Sequence, residues 1–256
     1  MTKILLTGSN GYIAKSFVTL TSHTKNVDLI SLRNNDWRGF SFSGYDVVIH
    51  TAGIAHQKET PSNQQEYYSI NRDLSFEVAR KAKNEGVKQF IFLSSISVYG
   101  LVRGTITKDT KTKPTTHYGR SKLEAEGLIT SLASDTFKVT ILRPPMVYGQ
   151  DCPGNYSKLY KLVKMTPIFP NYPNARSLIY INNLCAFIDD VIKGEKDGLF
   201  LPYDPAISTT QMVMDIADKE GKTIKFTKVF NWIITILMPL PIVSKLFGSL
   251  TIKPHH

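Results

Sequence analysis

Tyr118 and Lys122 stand four positions apart in the segment Tyr118-Gly119-Arg120-Ser121-Lys122. On a helix that spacing puts both side chains on one face. A free tyrosine titrates near pH ~10 and is a poor base at neutral pH. A neighbouring ammonium favours the phenolate. The pair could then exchange a proton with a substrate hydroxyl. A second group, Ser94-Ser95-Ile96-Ser97-Val98-Tyr99-Gly100, ends an apolar run. There Ser95 could orient the same oxygen. A third stretch, Lys3 to Leu20 (KILLTGSNGYIAKSFVTL), could hold an anion. Its apolar residues run into Gly8, Gly11 and Ala14, and Ile13, Phe17, Val18 and Leu20 then recur at helical spacing. Tyr-x-x-x-Lys pairs and glycine turns are each common as filler. Their occurrence together, in this order and at domain-scale spacing, is a strong signal.

The elements that must position these groups follow from the pattern. Strand, tight turn and helix at the start present free backbone N–H groups to a phosphate. In the spacing G-x-x-G-x-x-A, Gly8 allows the turn, Gly11 lets a pyrophosphate reach the backbone, and Ala14 lets the helix pack on the strand. Gly8, Ser9, Asn10, Gly11, Tyr12 and Ile13 are therefore candidate dinucleotide contacts. Val27 to Leu32 reads as a second strand ending in Arg33, Asn34, Asn35 and Asp36. An acidic residue there would bind the adenosine ribose of NAD, whereas an arginine accommodates the 2′-phosphate of NADP. Arg33 opens the NADP reading, and Asp36 and Trp37 are candidates for the adenine end. The stretch from Asn34 to Tyr45 leaves little room for a crossover helix.

Asp46 to His50 is a third strand, entering Thr51-Ala52-Gly53, whose small size lets a cofactor cross the sheet edge. Gln65 to Asn84 reads as one helix with Ile70, Leu74, Phe76, Val78 and Ala82 on its apolar face, closed by Gly86. Gln89 to Ser94 is a strand, Tyr118 to Ala133 a helix, and Lys138 to Leu142 a strand. Strands alternating with helices indicate an α/β fold, a doubly wound parallel sheet. After Arg143 the prolines at 144, 145, 153, 167, 170 and 173 break the pattern. A short strand at Leu178 to Ile181 and helices at Asn182 to Ile192 and Thr209 to Lys219 follow. The expected division is a cofactor domain over 1–148 and a small substrate lobe over 149–256, returning to the sheet near 178–192.

The chain has 256 residues and a formal charge of +10, enough length for one substantial core. Its lysines are scattered, which argues against a nucleic-acid tail. Cys152 and Cys185 lack metal-type spacing and read as reduced thiols of a cytoplasmic protein. The first strand begins at once, so no signal peptide is expected. No metal site is expected, and the terminal His255 and His256 are set aside from that question.

Seven segments, TGSNGYIA, DVVIHTAG, YYSINRDL, FLSSISVYG, YGRSK, LRPPMVYG and RSLIYINNL, resemble those of extended short-chain dehydrogenases/reductases, specifically the NAD-dependent epimerase/dehydratase family typified by sugar-nucleotide 4-epimerases. They span Thr7 to Leu184. The resemblance implies a Rossmann-type fold, NAD or NADP as cofactor with NAD favoured, and a nucleotide-sugar substrate. It implies Ser95, Tyr118 and Lys122 as the catalytic set, the last two also touching the cofactor. Thr51, Ala52, Gly53, Asn71, Ser94 and Pro145 would lie on the cofactor side. Ser95, Asn155 and Arg176 would lie on the substrate side, Arg176 pairing with a diphosphate through its planar fork.

Departures narrow the activity. Ile96-Ser97 stands where the family's 4,6-dehydratases carry Asp-Glu, which argues against elimination of water. Met146 replaces a phosphate-binding amide of the epimerases, and the second lobe is short. The leading reading is a 4-epimerase of the UDP-glucose 4-epimerase kind in surface-polysaccharide biosynthesis. The alternatives are an NADPH-dependent 4-ketoreductase of a nucleotide- or lipid-linked deoxysugar, and a non-catalytic NAD(P)-binding regulator; retention of Ser95, Tyr118 and Lys122 disfavours the last. A homodimer is compatible with these readings. In the tail from Val229 to Ile252, VFNWIITILMPLPIVSKLFGSLTI, the run Trp232 to Leu240 is too short to span a bilayer, and Pro239 and Pro241 interrupt it. The tail reads either as packing on the protein or as a membrane-peripheral segment placing Trp232, Ile233, Ile236, Leu237, Phe247 and Leu250 in the headgroup boundary, helped by Lys225, Lys228 and Lys245.

Overall fold

The computed structural model describes residues 2–21, 26–55 and 57–253, so His255 and His256 lie outside the described residues. In chain order the elements are β1 (Lys3–Thr7), α1 (Tyr12–Thr21), β2 (Asn26–Ile30), β3 (Val47–His50), α2 (Gln64–Glu66), α3 (Ser75–Asn84) and β4 (Gln89–Leu93). Then come β5 (Gly104–Ile106), α4 (His117–Thr130), β6 (Lys138–Leu142), β7 (Met146–Tyr148), α5 (Asn155–Met165), β8 (Ile168–Pro170), β9 (Leu178–Tyr180), α6 (Ile181–Lys193) and β10 (Gly198–Phe200). The chain ends with α7 (Thr209–Lys219), β11 (Lys225–Thr227), α8 (Asn231–Leu237), α9 (Pro241–Phe247) and β12 (Leu250–Ile252).

The chain divides into two compact units. The first comprises residues 1–100, 112–145 and 179–202, and the second 101–111, 146–178 and 203–256. The first unit is a Rossmann-type six-stranded sheet in the order β10-β6-β4-β3-β1-β2, parallel throughout. Its central strands are buried on both faces, which is why β3 and β4 read as unbroken apolar runs rather than alternating ones. Leu5, Val48, Phe90 and Phe92 point to one face with Val78, Ala79, Ala125 and Ile129 of α3 and α4. α1 and α6 pack together. From β1 the chain runs outward to β2, then returns to β3 on the other side of β1. That reversal is the topological switch point, where open α/β sheets hold ligands.

The link from β2 to β3 holds a single 3-10 turn, Asn35–Arg38, in keeping with the little room between Asn34 and Tyr45, and β2 is the sheet edge. Two features depart from the sequence reading. The helix expected over 65–84 is interrupted by a π-helical stretch, Tyr67–Leu74. Its wider turns bring Tyr67, Asn71 and Ser75 to the buried side, while Ile70 and Phe76 are only half-buried. β10, short and opened by Gly198, is a sixth strand with no clear periodicity to announce it.

The second unit is held by two short parallel pairs, β5 with β12 and β8 with β11. The apolar tail splits there. Ile234, Phe247, Leu250 and Ile252 are buried, because β12 pairs with β5 and Phe247 packs on Phe169 and Tyr172 at 5.9 and 5.7 Å. Phe247 and Leu250 are therefore core residues, not surface ones.

His50 shows how closely the first core is filled. It is fully buried between Phe90 and Phe92, each ring 5.9 Å away. Its Nδ1 meets Thr7 Oγ1 at 2.8 Å and its Nε2 meets Ser75 Oγ at 2.9 Å. Burial, aided by the Lys122 charge, holds its pKa at about 3, against an ordinary 6.5. The unfolded chain therefore takes up a proton below pH 6.5 that the folded chain refuses until about pH 3. Stability present above pH 6.5 is lost through that window at about 1.4 kcal/mol per pH unit. A His50→Gln variant is expected to be less stable at neutral pH but to lose less stability between pH 7 and 4; thermal unfolding across that range checks it, and an unchanged slope clears His50.

Candidate active site

The glycine turn is built as a cradle. Gly8 takes φ +91, a left-handed backbone that side chains rarely adopt. A Cβ there would also sit 2.9 Å from Ala52 N and 3.0 Å from Thr51 Oγ1. Gly8 N–H donates to Ile30 O at 3.0 Å, and Gly11 N–H to Gly8 O at 2.8 Å. Gly11 is exposed, and α1 behind it carries no acidic residue in its first turn. This leaves the positive end of a ten-residue helix open to an anion. Thr51 closes the other wall, its hydroxyl donating to Thr7 O at 2.8 Å.

Gly53 is a second place where only hydrogen fits. A Cβ would lie 2.8 Å from Asn71 Oδ1 and 3.3 Å from Lys122 Nζ. Asn71 is wholly buried. Its Oδ1 accepts from Ile54 N–H at 2.9 Å, and its Nδ2 donates to Ile54 O at 3.0 Å and Ser121 Oγ at 3.2 Å. It therefore fixes the loop after β3 against α4. The π-helical stretch puts it there.

α4 carries the Tyr-x-x-x-Lys pair. Thr116 caps the helix, accepting from Gly119 N–H at 3.0 Å, and Glu59 Oε1 accepts from Tyr118 N–H at 2.9 Å. Tyr118 is half-buried, with the Tyr67 ring edge-on at 6.4 Å. Burial pushes its phenol above the ordinary value of 10.0, while a hydrogen bond with Ser95 pulls the other way. The expected lowering by Lys122 is thus not what dominates. The Lys122 ammonium is turned to the strand end, donating to Leu93 O at 2.8 Å and lying 4.5 Å from the Phe92 ring centroid. Burial brings Lys122 down to about 8, with Glu126 opposing. Ser95 caps the 3-10 turn Ile96–Tyr99, and its hydroxyl accepts from Ser97 N–H at 3.1 Å.

Beneath this pair lies a buried ion pair that the sequence reading did not single out. Glu126 accepts from Arg143 Nη2 at 2.6 Å and Nε at 3.0 Å, and also from the Ser94 hydroxyl. Arg143 Nη1 donates to Tyr99 OH at 2.9 Å. Ser94, expected on the cofactor side, thus has its hydroxyl committed to Glu126. The signals were present: Glu126 follows Lys122 by four positions, and Arg143 is a charge directly after a buried strand. Glu59 had no such signal, because it comes from coil.

The remaining candidates spread out. Arg33 and Asp36 are exposed after β2, and Asp36 accepts from Asn34. Trp37 is only 3% exposed and belongs to the core. Pro145 is buried beyond β6. Asn155 and Arg176 lie in the second unit. Asn155 is exposed at the start of α5. Arg176 is half-buried and donates from Nη1 to Gly248 O at 2.7 Å.

Comparison with known proteins gives the family. The model of the NAD dependent epimerase/dehydratase family matches residues 4–196. The chain belongs to this family. It is an NAD(P)-dependent enzyme of the extended short-chain dehydrogenase/reductase type. It is 32% identical to a UDP-glucose 4-epimerase of Vibrio cholerae over 96% of this chain and 81% of that protein. It is 28% identical to the N-acetyl-alpha-D-glucosaminyl-diphospho-ditrans,octacis-undecaprenol 4-epimerase of Escherichia coli O157:H7, over 72% of this chain and 57% of that one. The fold matches that of UDP-glucuronic acid 4-epimerase from Bacillus cereus, solved with NAD, at a TM-score of 0.74 and 18% identity, covering 98% of this chain and 90% of that one.

The buried pair gives the site a testable dependence. Glu126→Leu is expected to cost about 3–5 kcal/mol, because it leaves the Arg143 guanidinium uncompensated, and Glu126→Leu with Arg143→Met to recover most of that loss. Urea denaturation of the variants checks this; a double variant as unstable as the single removes the pair as the cause.

Proposed function

We propose that the chain is a 4-epimerase of a nucleotide-activated sugar, interconverting the two C4 configurations by transient oxidation at that carbon. The observation that carries this reading is the convergence on one sheet end of the Gly8–Gly11 cradle, the side-chain-free Gly53, and the Tyr118/Lys122 pair on α4, with the Lys122 ammonium tied to Leu93 O. Likeness to the Vibrio cholerae epimerase over nearly the whole chain supports the substrate class. The residues present fit a dinucleotide: a phosphate cradle at a helix N-terminus, and a gap at Gly53 that a Cβ would close.

When bound, the oxidised cofactor supplies the hydride acceptor at C4 of its nicotinamide and a positive charge that favours the phenolate. Tyr118 would take the proton from the sugar C4 hydroxyl during oxidation at that carbon and return it to the oxygen on reduction. Ser95 holds the same oxygen. Lys122, held by Leu93 O, would orient the cofactor's ribose. With no Asp-Glu at Ile96-Ser97, elimination of water lacks its acid and base.

Arg33 favours a second reading. It is exposed after β2 with no acidic side chain at its own position, a place suited to the 2′-phosphate of NADP. Use of NADPH would make the chain a 4-ketoreductase, delivering hydride once.

Tyr118→Phe is expected to lower interconversion of UDP-glucose and UDP-galactose by about 100- to 10,000-fold, while NAD binding stays close to wild type. Chromatographic product analysis beside cofactor titration checks this, and a wild-type rate would remove Tyr118 from catalysis. Arg33→Ala is expected to shift the NADPH-to-NADH affinity ratio toward NADH; an unchanged ratio takes Arg33 out of the cofactor site and the ketoreductase reading loses its support.

A further inference from the structure

In the second unit, α8 and α9 are moored on one side only. Ile234 and Phe247 are buried, and Asn231 Nδ2 donates to Asn171 O at 2.9 Å. The outward residues are unusually apolar. Ile242 is 78% exposed, Val229 69%, Ile236 66% and Trp232 64%, with Phe230, Leu237 and Leu240 also exposed. Trp232 and Ile236 are four apart on α8 and share a face. Scattered apolar residues are ordinary on a protein surface, but so many on and directly beside two consecutive short helices mark an interaction surface.

Charge decides what it meets. From Lys225 to the end of the chain there are four lysines and no Asp or Glu. Lys225, Lys228 and Lys245 are exposed. Lys228 directly precedes Val229, and Lys245 lies one turn after Ile242. A second copy of this chain would bring lysine against lysine across a two-fold contact, in a protein already at +10. An anionic lipid surface offers apolar depth and phosphate together. The helices have seven residues each, and among the described residues no helix is long and apolar enough to cross a membrane. The segment would therefore lie in the interface.

We propose that α8 and α9 form an interfacial docking face, laying Val229, Trp232, Ile236 and Ile242 into the headgroup boundary of an anionic membrane with Lys228 and Lys245 on the lipid phosphates. The test of this face needs no turnover.

The test is cosedimentation of the full chain with phosphatidylglycerol/phosphatidylcholine vesicles and with phosphatidylcholine alone, at low and high salt. Binding is expected on anionic vesicles at low salt, falling several-fold as salt screens the lysines. Ile236→Ser and Ile242→Ser lie at exposed positions, so folding should survive; each is expected to lower partition about tenfold. Lys228→Glu and Lys245→Glu should each lower it about fivefold or more. Trp37 is buried and Trp232 exposed, so a blue shift of emission on binding reports Trp232 directly in the unmodified chain. The proposal is overturned by no binding at low salt, by equal binding to neutral vesicles, or by folded serine variants that bind like the parent. It is also overturned if light scattering shows a dimer that Ile242→Ser dissolves, which would make the face a contact between copies.

Discussion

The candidate site rests on a buried carboxylate. Glu126 lies inside the first unit with Arg143, Ser94 and the Lys122 charge around it. A charge in that position is tolerable only when its lone pairs are taken and an opposite charge is close. Those requirements fix three pieces of chain at once. Ser94 ends β4 next to Ser95, Arg143 ends β6 just before Pro144-Pro145, and Glu126 is one helical turn beyond Lys122. Arg143 then reaches Tyr99 and ties down the turn that follows Ser95. The residues assigned to chemistry thus lie next in sequence, or one helical turn away, to the groups that satisfy this buried carboxylate.

The second constraint is the absence of side chains. Gly8 and Gly53 leave room that a single Cβ would fill, against Ala52 N in one case and Asn71 Oδ1 in the other. Asn71 converts the second gap into a defined surface by holding Ile54 through both its amide atoms. The π-helical stretch that carries Asn71 is the local irregularity that makes this reach available. Lys122, Phe92 and His50 continue the arrangement inward: the ammonium lies over one ring, and that ring stacks on a histidine that burial and the same ammonium keep neutral.

The second unit follows a different logic. Its short strand pairs bury the ends of the apolar tail, while the two helices between β11 and β12 turn much of their apolar surface outward. One sequence run therefore serves both as core and as surface. Hydrophobicity along the chain could not separate these roles, because it does not state which side of a seven-residue helix finds a partner.

By itself the sequence determined the parallel sheet, the glycine turn, the serine strand end and the Tyr118/Lys122 pair. Each is a local pattern: a buried strand must be apolar throughout, a tight turn before a helix needs glycine, and positions four apart on a helix must share a face. Tertiary structure alone decided the rest. It set the Glu126–Arg143 partnership and the capping of Tyr118 by Glu59, because partners far apart in sequence leave no periodic trace. It placed Trp37 in the core and Ser94 on Glu126, and it added β10 as the sixth strand. It also set the direction of the Tyr118 shift, since desolvation depends on everything packed around a group and not on the lysine four residues away.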